Sequence, residues 1–321
     1  MTELAPHPAA DAAPRPDMTW IPGGRFRMGS DRHYPEEAPA RTVAVDGFWI
    51  DARPVTNLEF ARFVEATGWT TFAELPAEPA DYPGAQTEML VPSSMVFTPT
   101  RGPVPLNDMW AWWRYVPGAN WRHPTGPASS LDGKWKHPVV HVAWRDVEAY
   151  AQWAGGEIPT EAEWEYAARG GLEDAEYAWG EEFRPAGRTM ANTWQGEFPY
   201  RSGKPPGTFR TSAVGAYPAN GYGLYDMIGN VWEWTRDWWS TASKDSPVSS
   251  CCAPSNPVGG RLEDSFDPCQ PETRIPRKVL KGGSHLCAPS YCRRYRPAAR
   301  HAQPIDTSTS HVGFRLVVRP T

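Results

Sequence analysis

The sequence has few of the features that mark membrane proteins, nucleic-acid-binding proteins or disulfide-stabilised secreted domains. It has no apolar stretch long enough to cross a bilayer. A formal net charge of -5 gives no general attraction to nucleic acid or to an anionic membrane surface. Five cysteines, an odd number in 321 residues, do not suggest a disulfide framework. We therefore predict a globular protein with neither a nucleic-acid nor a membrane partner.

The N-terminal stretch MTELAPHPAADAAPRPD lacks the apolar run of a secretory signal. Its composition predicts a disordered lead over residues 1–17. Residues 18–321 contain no internal repeat and no long linker, which predicts a single domain. Without an export signal or a disulfide framework, the chain is expected in the cytoplasm. A reducing compartment favours metal binding or catalysis as the role of closely spaced cysteines.

Composition and patterning predict an α+β domain that is rich in loops. Gly 28 and Pro 35 together make up about a fifth of the chain, which indicates much irregular backbone. The 17 tryptophans are expected mainly to fill the core. Three helices are expected to begin near Thr56, Asp146 and Thr160 and to end at Gly68, Gly155 and Gly170. Short strands are expected in RTVAVDGFWI, HPVVHVAW, RKVLKGGS and HVGFRLVV.

Two cysteines, Cys287 and Cys292, are separated by four residues in GGSHLCAPSYC. Zinc ribbons and redox motifs place two residues between paired cysteines, so this spacing matches neither pattern. The residues alone leave several interpretations open. They are a disulfide, two buried apolar thiols, or a zinc cluster that also uses Cys251, Cys252 and Cys269.

The succession of motifs along the chain resembles the formylglycine-generating enzymes, also called sulfatase-modifying factors, of the bacterial type. The motifs are, in order, IPGGRFRMGS, PVTNLEFARFV, GANWRHPTGP, HPVVHVAW, PTEAEWEYAARGG, ANTWQGEFP, NGYGLYDMIGNVWEW, KGGSHLCAPSYC and GFR. GNVWEW and GGS also occur in iron-dependent sulfoxide synthases and in non-catalytic modules. The Cys-x4-Cys after GGS narrows the match to the formylglycine enzymes. The resemblance implies a loop-rich fold akin to that of C-type lectins.

The resemblance also implies an activity, namely oxidation of a cysteine in a sulfatase Cys-x-Pro-x-Arg segment to Cα-formylglycine, using dioxygen and an external reductant. The partner would be an unfolded sulfatase polypeptide. In the family, the residues that match Cys287 and Cys292 bind copper(I), and those that match Ser284, Tyr291 and Trp232 line the same pocket. Copper(I) is a soft ion that favours thiolates, and two thiolates leave room for further ligands. The alternatives are a catalytically silent lectin-like module and a metal-free thiol oxidase.

A calcium site is implied by the segment DMIGNVWE. Asp226, Gly229, Val231 and Glu233 match the four positions of a family calcium site. Carboxylate and carbonyl oxygens from an irregular loop suit calcium, which tolerates uneven geometry. Solvated or helix-capping carboxylates are the alternative interpretation.

A second family calcium site has an Asn that matches Asn192 and an Asp whose position holds Pro206 in this chain. The chain therefore lacks the carboxylate that this second site needs. Cysteines that form disulfides in secreted animal members are also missing. The matching positions hold Ala151, Ala168, Pro297 and Leu316.

Two further groups of residues allow both a functional and a structural interpretation. His137 and His141 have the spacing of a metal site on a helix. The run HPVVH instead predicts a strand, which would separate the two rings by about 13 Å, so a structural role is favoured. Trp112, Trp113 and Trp121 could form one wall of a peptide cleft or pack in the core.

Overall fold

The computed structural model describes residues 13–205, 208–240 and 253–320. Within these residues the chain has three α-helices and thirteen short strands, connected by turns and single-turn 3-10 helices. The helices are α1 (Asn57–Thr67), α2 (Trp144–Ala154) and α3 (Glu161–Arg169). The expected loop-rich α+β domain is confirmed.

Local capping signals explain where the helices begin and end. Both α1 and α3 begin at the expected Thr-x-x-Glu capping boxes, and all three helices end at the expected glycines in the left-handed region. Helix α2 begins at Trp144, two residues before the expected start. Asp146 lies inside the first turn, where its carboxylate accepts a hydrogen bond of 2.9 Å from the backbone N–H of Ala143.

The strands, in chain order, are β1 (Met18–Ile21), β2 (Gly24–Met28), β3 (Arg41–Val45), β4 (Phe48–Asp51), β5 (Ser93–Phe97), β6 (Trp113–Pro117), β7 (Gly196–Glu197), β8 (Arg201–Ser202), β9 (Trp232–Trp238), β10 (Arg277–Lys281), β11 (Arg300–Pro304), β12 (Val312–Gly313) and β13 (Val317–Val318). The central sheet has the order β11-β10-β9-β12, and a second sheet has the order β1-β4-β13. Three two-stranded ribbons pair β2 with β3, β5 with β6, and β7 with β8. Of these pairs only β9 and β12 run parallel.

Three of the four runs expected to form strands do so, and one does not. HPVVHVAW is irregular up to the start of α2, so the prediction of a strand there is wrong. His141 has a φ of 61°, which lies in the left-handed region and interrupts extended geometry. Its buried imidazole is held by Ser94 Oγ at 2.7 Å and by the carbonyl oxygen of Pro124 at 2.9 Å.

In the part of the chain that the structure describes, the core consists of three apolar clusters. The first packs α1 and α2 against the central sheet, and the second lies between α3 and the β2–β4 region. The third contains Phe97, Trp112, Trp113, Trp194, Phe198, Leu286 and Ala288. Most tryptophans of the described residues are buried, as expected for core filling. Within the described residues, no helix is both long enough and apolar enough to cross a membrane.

Two residues just before residue 18 contact the domain. The guanidinium of Arg15 pairs with Asp51 at 2.9 Å, and the carbonyl oxygen of Asp17 accepts a hydrogen bond from the N–H of Ala52. The boundary between lead and domain at residue 18 stays a prediction. Residues 1–12 of the expected lead lie outside the described residues.

Candidate active site

Two glycines turn the chain out of β10 toward the cysteine pair. Gly282 and Gly283 have φ angles of 91° and 71°. A Cβ at Gly282 would lie 2.8 Å from the carbonyl oxygen of Met227, and one at Gly283 would lie 2.8 Å from that of Arg294. Both the backbone conformation and the close approach require glycine at these positions.

Two consecutive turns then bring the two thiols together. The N–H of Cys287 donates to the carbonyl oxygen of Ser284 at 3.0 Å, and the N–H of Cys292 donates to that of Ala288 at 2.9 Å. The two Sγ atoms lie 3.2 Å apart and are not joined in a disulfide. No cluster of three or more metal-ligating His, Cys, Asp or Glu side chains occurs in the described part of the chain.

The two thiols have different environments. Cys287 is 2% exposed, and burial raises its pKa well above the usual value for a thiol. The hydrogen bond from Cys287 and the positive charge of Arg294 together lower the pKa of Cys292 to about 7. The pair therefore favours a state with the proton on the buried sulfur and negative charge on the partly exposed one. Two sulfur atoms are soft donors, and one of them is partly exposed, so the pair fits copper(I).

Tyr291 holds a fixed position at the edge of this site. Its side chain is 37% exposed. One ring face stacks on Phe198, with centroids 4.5 Å apart and planes 2° from parallel, and Trp112 meets the ring edge-on at 5.2 Å. This aromatic packing restricts the phenol to one orientation beside the thiols.

Ser284 and Trp232 are both buried. Ser284 is fully buried, and its backbone N–H points to Cys287 Sγ at 3.4 Å. Its hydroxyl accepts a hydrogen bond from the N–H of Leu286. Trp232, the first residue of β9, belongs to the large apolar cluster that also contains Cys287. The structure thus places Ser284 next to the pair, and a role for Trp232 in the site stays a prediction.

Sequence reasoning missed an arrangement that we call the arginine clamp, formed by Arg294, Arg296, Glu36 and Glu37. Arg294 donates to Glu36 at 2.7 Å and lies 3.9 Å above the ring centre of Tyr34. Arg296 makes a buried bidentate pair with Glu37 at 2.7 and 2.5 Å. The only signal in the sequence is charge complementarity between RRYR and PEE. The clamp joins the segment that follows Cys292 to the turn before β3.

Comparison with known proteins places the chain in a family. The model of the sulfatase-modifying factor enzyme 1-like domain matches residues 4–320. The chain is 55% identical over 305 residues to the formylglycine-generating enzyme of Mycobacterium tuberculosis H37Rv, covering 95% of this chain and 98% of that protein. The chain belongs to the formylglycine-generating enzyme family. The enzyme of that name from Thermomonospora curvata is 45% identical over 309 residues, covering 94% and 93%.

The fold of this family member also matches a solved structure. PvdO from Pseudomonas aeruginosa superimposes with a TM-score of 0.59 at 22% identity, covering 94% of this chain and 93% of that one. This likeness concerns the fold alone and agrees with the expected C-type-lectin-like, single-domain architecture. Because the chain is 55% and 45% identical to two enzymes of this family, it is an enzyme of the oxidoreductase class.

Two of the four residues expected at the calcium site, Asp226 and Glu233, have carboxylates. The two carboxylates differ in how far neighbouring groups compensate their negative charge. Asp226 accepts hydrogen bonds from the N–H of Gly215 at 2.7 Å and from Asn230 at 3.4 Å. Burial raises its pKa to about 6, which means that its negative charge is poorly compensated. A cation beside Asp226 would offset this cost.

Glu233 is already neutralised. Its two oxygens accept hydrogen bonds from Arg315 at 2.7 and 2.8 Å, and one also accepts from Trp164 at 2.8 Å. The charge of Glu233 still raises the pKa of Asp226, so the two carboxylates lie near each other. Calcium binding by Asp226, Gly229, Val231 and Glu233 stays a prediction.

At the second family calcium position, the residues present do not fit a divalent cation. The ammonium of Lys204 donates a hydrogen bond to Oδ1 of Asn192. A lysine thus contacts the oxygen that calcium would need, and its positive charge would repel the ion. Pro206 lies outside the described residues.

The other candidates have structural surroundings. His137 bonds Thr211 Oγ1 at 3.1 Å, which with the contacts of His141 agrees with the expected structural role of both. Trp112, Trp113 and Trp121 are all buried, so core packing is the correct interpretation of the three. Cys269 is exposed and remote in sequence from the pair, and Cys251 and Cys252 lie outside the described residues.

Proposed function

We propose that this enzyme oxidises a cysteine of a sulfatase polypeptide to Cα-formylglycine, with copper(I) held by Cys287 and Cys292. The observation that carries the proposal is the unbridged thiol pair, 3.2 Å apart, with one sulfur buried and the other partly exposed. A buried apolar pair would not leave one thiol partly exposed beside an arginine. The names of the relatives supply the product, formylglycine, and the family description supplies the substrate class, sulfatases.

The residues around the pair suit a reaction at an incoming thiol. Cys292 is the more accessible ligand, and the hydrogen bond from Cys287 together with the charge of Arg294 lowers its pKa to about 7, which favours its thiolate. Cys287, packed in the core, keeps water from one side of the pair. Tyr291, fixed by Phe198 and Trp112, restricts where the substrate side chain can lie.

The proposed reaction needs a metal-bound oxidant, because no side-chain acid or base can remove hydrogen from the carbon beside sulfur. Bound copper(I) would supply one-electron chemistry with dioxygen and a coordination position for the substrate thiolate. The substrate CH₂–SH becomes CHO, and its sulfur leaves as H₂S. One oxygen atom enters the aldehyde and the other forms water, so two electrons and two protons must come from an external reductant.

The substrate that we propose is an unfolded sulfatase segment of sequence Cys-x-Pro-x-Arg, presented in the cytoplasm. An unfolded segment can extend its cysteine toward Cys292, the partly exposed thiol of the pair. The unbridged state of Cys269, Cys287 and Cys292 is compatible with a reducing compartment.

The test is to incubate the copper-loaded enzyme with a Cys-x-Pro-x-Arg peptide, dioxygen and a thiol reductant, and to detect the aldehyde by mass spectrometry. We expect turnover with copper and none after its removal with a copper(I) chelator. Equal turnover with and without copper would favour the metal-free thiol oxidase. Absence of the aldehyde in a protein that binds one copper would contradict the proposed reaction.

A further inference from the structure

The enzyme also has a cavity that lies apart from the thiol pair. Its volume is about 520 Å³, which is in the range of small-molecule sites. Hydroxyl side chains account for much of its wall, among them Thr125, Ser130, Thr208, Thr211 and Ser212. Neither cysteine of the pair, nor Tyr291 or Ser284, contributes to it. We call it the Lys204–Arg210 cavity.

The charges that line this cavity are of one sign. Lys134, Lys204 and Arg210 line it, and no Asp or Glu of the described residues does. Between Lys204 and Arg210, two residues lie outside the described part of the chain, Pro206 and Gly207, and neither has a charged side chain. Positive charge is therefore concentrated here, although the chain as a whole has a net charge of -5.

Neither Lys204 nor Arg210 has a carboxylate partner among the described residues. The Lys204 ammonium donates to Asn192 Oδ1, and Arg210 Nη2 donates to the carbonyl oxygen of Phe97 at 3.3 Å. An ammonium has three donors and a guanidinium has five, so both groups keep donors for a ligand. Partly buried cations without a counter-charge are unfavourable, and a bound anion would relieve this cost.

The lysine is held in place by a hydrogen-bonded support. The amide nitrogen of Asn192 donates to the carbonyl oxygen of Arg210 at 3.0 Å and to the hydroxyl of Ser212 at 3.2 Å. These bonds orient Asn192 Oδ1 toward Lys204. The same amide group thus connects the Lys204 side chain to the backbone of Arg210, so the two cations belong to one built arrangement.

We propose that the Lys204–Arg210 cavity binds a small molecule that carries a tetrahedral oxyanion, a phosphate or sulfate group, with Lys204 and Arg210 as its direct ligands. Cations and hydroxyls together satisfy the several acceptor oxygens of such a group through charge-assisted hydrogen bonds. The cavity is larger than an inorganic oxyanion, which leaves room for an organic part. The proposal is independent of the oxidation at the thiol pair.

The test is titration calorimetry on the full chain with inorganic phosphate, inorganic sulfate and glycerol 3-phosphate, against chloride at equal ionic strength. We expect one saturable site, weakened about tenfold or more by Lys204→Met and by Arg210→Gln, because each removes a charge-assisted contact. Arg62→Gln is the matched control. Arg62 is exposed on α1 and does not line the cavity, so its loss should leave the affinity unchanged.

The outcomes separate the parts of the proposal. Tighter binding of phosphate than of sulfate assigns a phosphate ligand, and the reverse order assigns a sulfate ligand. If glycerol 3-phosphate binds no tighter than inorganic phosphate, the proposal that the ligand carries an organic group is overturned. Absence of saturable binding, or equal affinity in Arg62→Gln and the two cavity variants, overturns the site. Lys204→Arg keeps the charge and should retain binding, which provides a folded variant if Lys204→Met is unstable.

Discussion

The arginine clamp and the Lys204–Arg210 cavity use positive charge in opposite ways. In the clamp, Arg294 and Arg296 each have a carboxylate partner at 2.7 Å or closer. In the cavity, Lys204 and Arg210 have only neutral oxygens as partners among the described residues. Paired cations hold two segments together, whereas unpaired cations keep their donors for a ligand. The same residue types are thus structural in one region and available for binding in the other.

The largest effect should come from the thiols that the clamp supports. Cys287→Ser and Cys292→Ser should each abolish tight copper binding and reduce aldehyde formation by several orders of magnitude, because oxygen is a poor ligand for copper(I). Elemental analysis and the peptide assay measure the two effects. The triple variant Cys251→Ser, Cys252→Ser and Cys269→Ser is the control and should stay within a few-fold of the parent. Full activity in either single variant would contradict the copper proposal.

Two arginine substitutions compare the regions directly. Arg296→Met leaves Glu37 buried without a partner and should cost about 3–5 kcal/mol of unfolding free energy. Arg210→Met removes a cation that has no carboxylate partner in the described part of the chain, and should cost about 1 kcal/mol or less, the contribution of its hydrogen bond to Phe97, in buffer without phosphate or sulfate. Urea denaturation of both variants measures the difference. Equal losses would show that pairing does not distinguish the two regions.

Asp226 is an intermediate case, a buried anion whose charge is only partly compensated. If calcium binds there, free calcium at 100 times its dissociation constant should stabilise the fold by about 2.7 kcal/mol. Chelation should then lower the melting temperature, and Asp226→Asn should remove the response to calcium. Without calcium, the raised pKa of Asp226 predicts that the same substitution increases the stability of the fold. Burial penalises the ionised form, so stability falls as the pH rises from 3.8 to about 6, and Asp226→Asn would stabilise the protein at neutral pH.

A smaller effect concerns the charge next to Cys292. Its folded-state pKa is lowered to about 7, so its thiolate fraction rises as the pH increases through 7. Arg294→Gln removes one of the causes, which should raise this pKa and slow alkylation at pH 7 a few-fold. Iodoacetamide rates against pH, measured in the triple Cys→Ser background without metal, give the midpoint. An unchanged midpoint would show that the hydrogen bond from Cys287 alone sets it.

Local signals in the sequence predicted the features that depend on neighbouring residues. The capping box of Thr56 and Glu59 gave the start of α1, and the motif spacing identified the thiol pair. The left-handed conformation at His141 was not predictable, because it accompanies contacts with Ser94 and Pro124. Those contacts are set by the tertiary fold.

The supports of both sites were missed for a similar reason. Glu36 and Arg294 are 258 positions apart, so no periodicity connects them. The contact of Lys204 with Asn192 spans only 12 positions but depends on how an irregular segment folds back. The expected role of Glu233 could not include its pairing with Arg315, 82 positions away. Burial and charge pairing across such distances emerge only in the folded chain.

The two turns that bring Cys287 and Cys292 together also bear on the thermodynamics of the proposed copper binding. Their hydrogen bonds, at 3.0 and 2.9 Å, join backbone groups to one another, so the turns need no ligand to form. Ordering one residue costs roughly 1–2 kcal/mol of conformational entropy. We therefore expect folding to meet this entropy cost, so that it does not reduce the affinity of the two thiols for copper(I). On this proposal, a chelator would remove the ion without unfolding the turns.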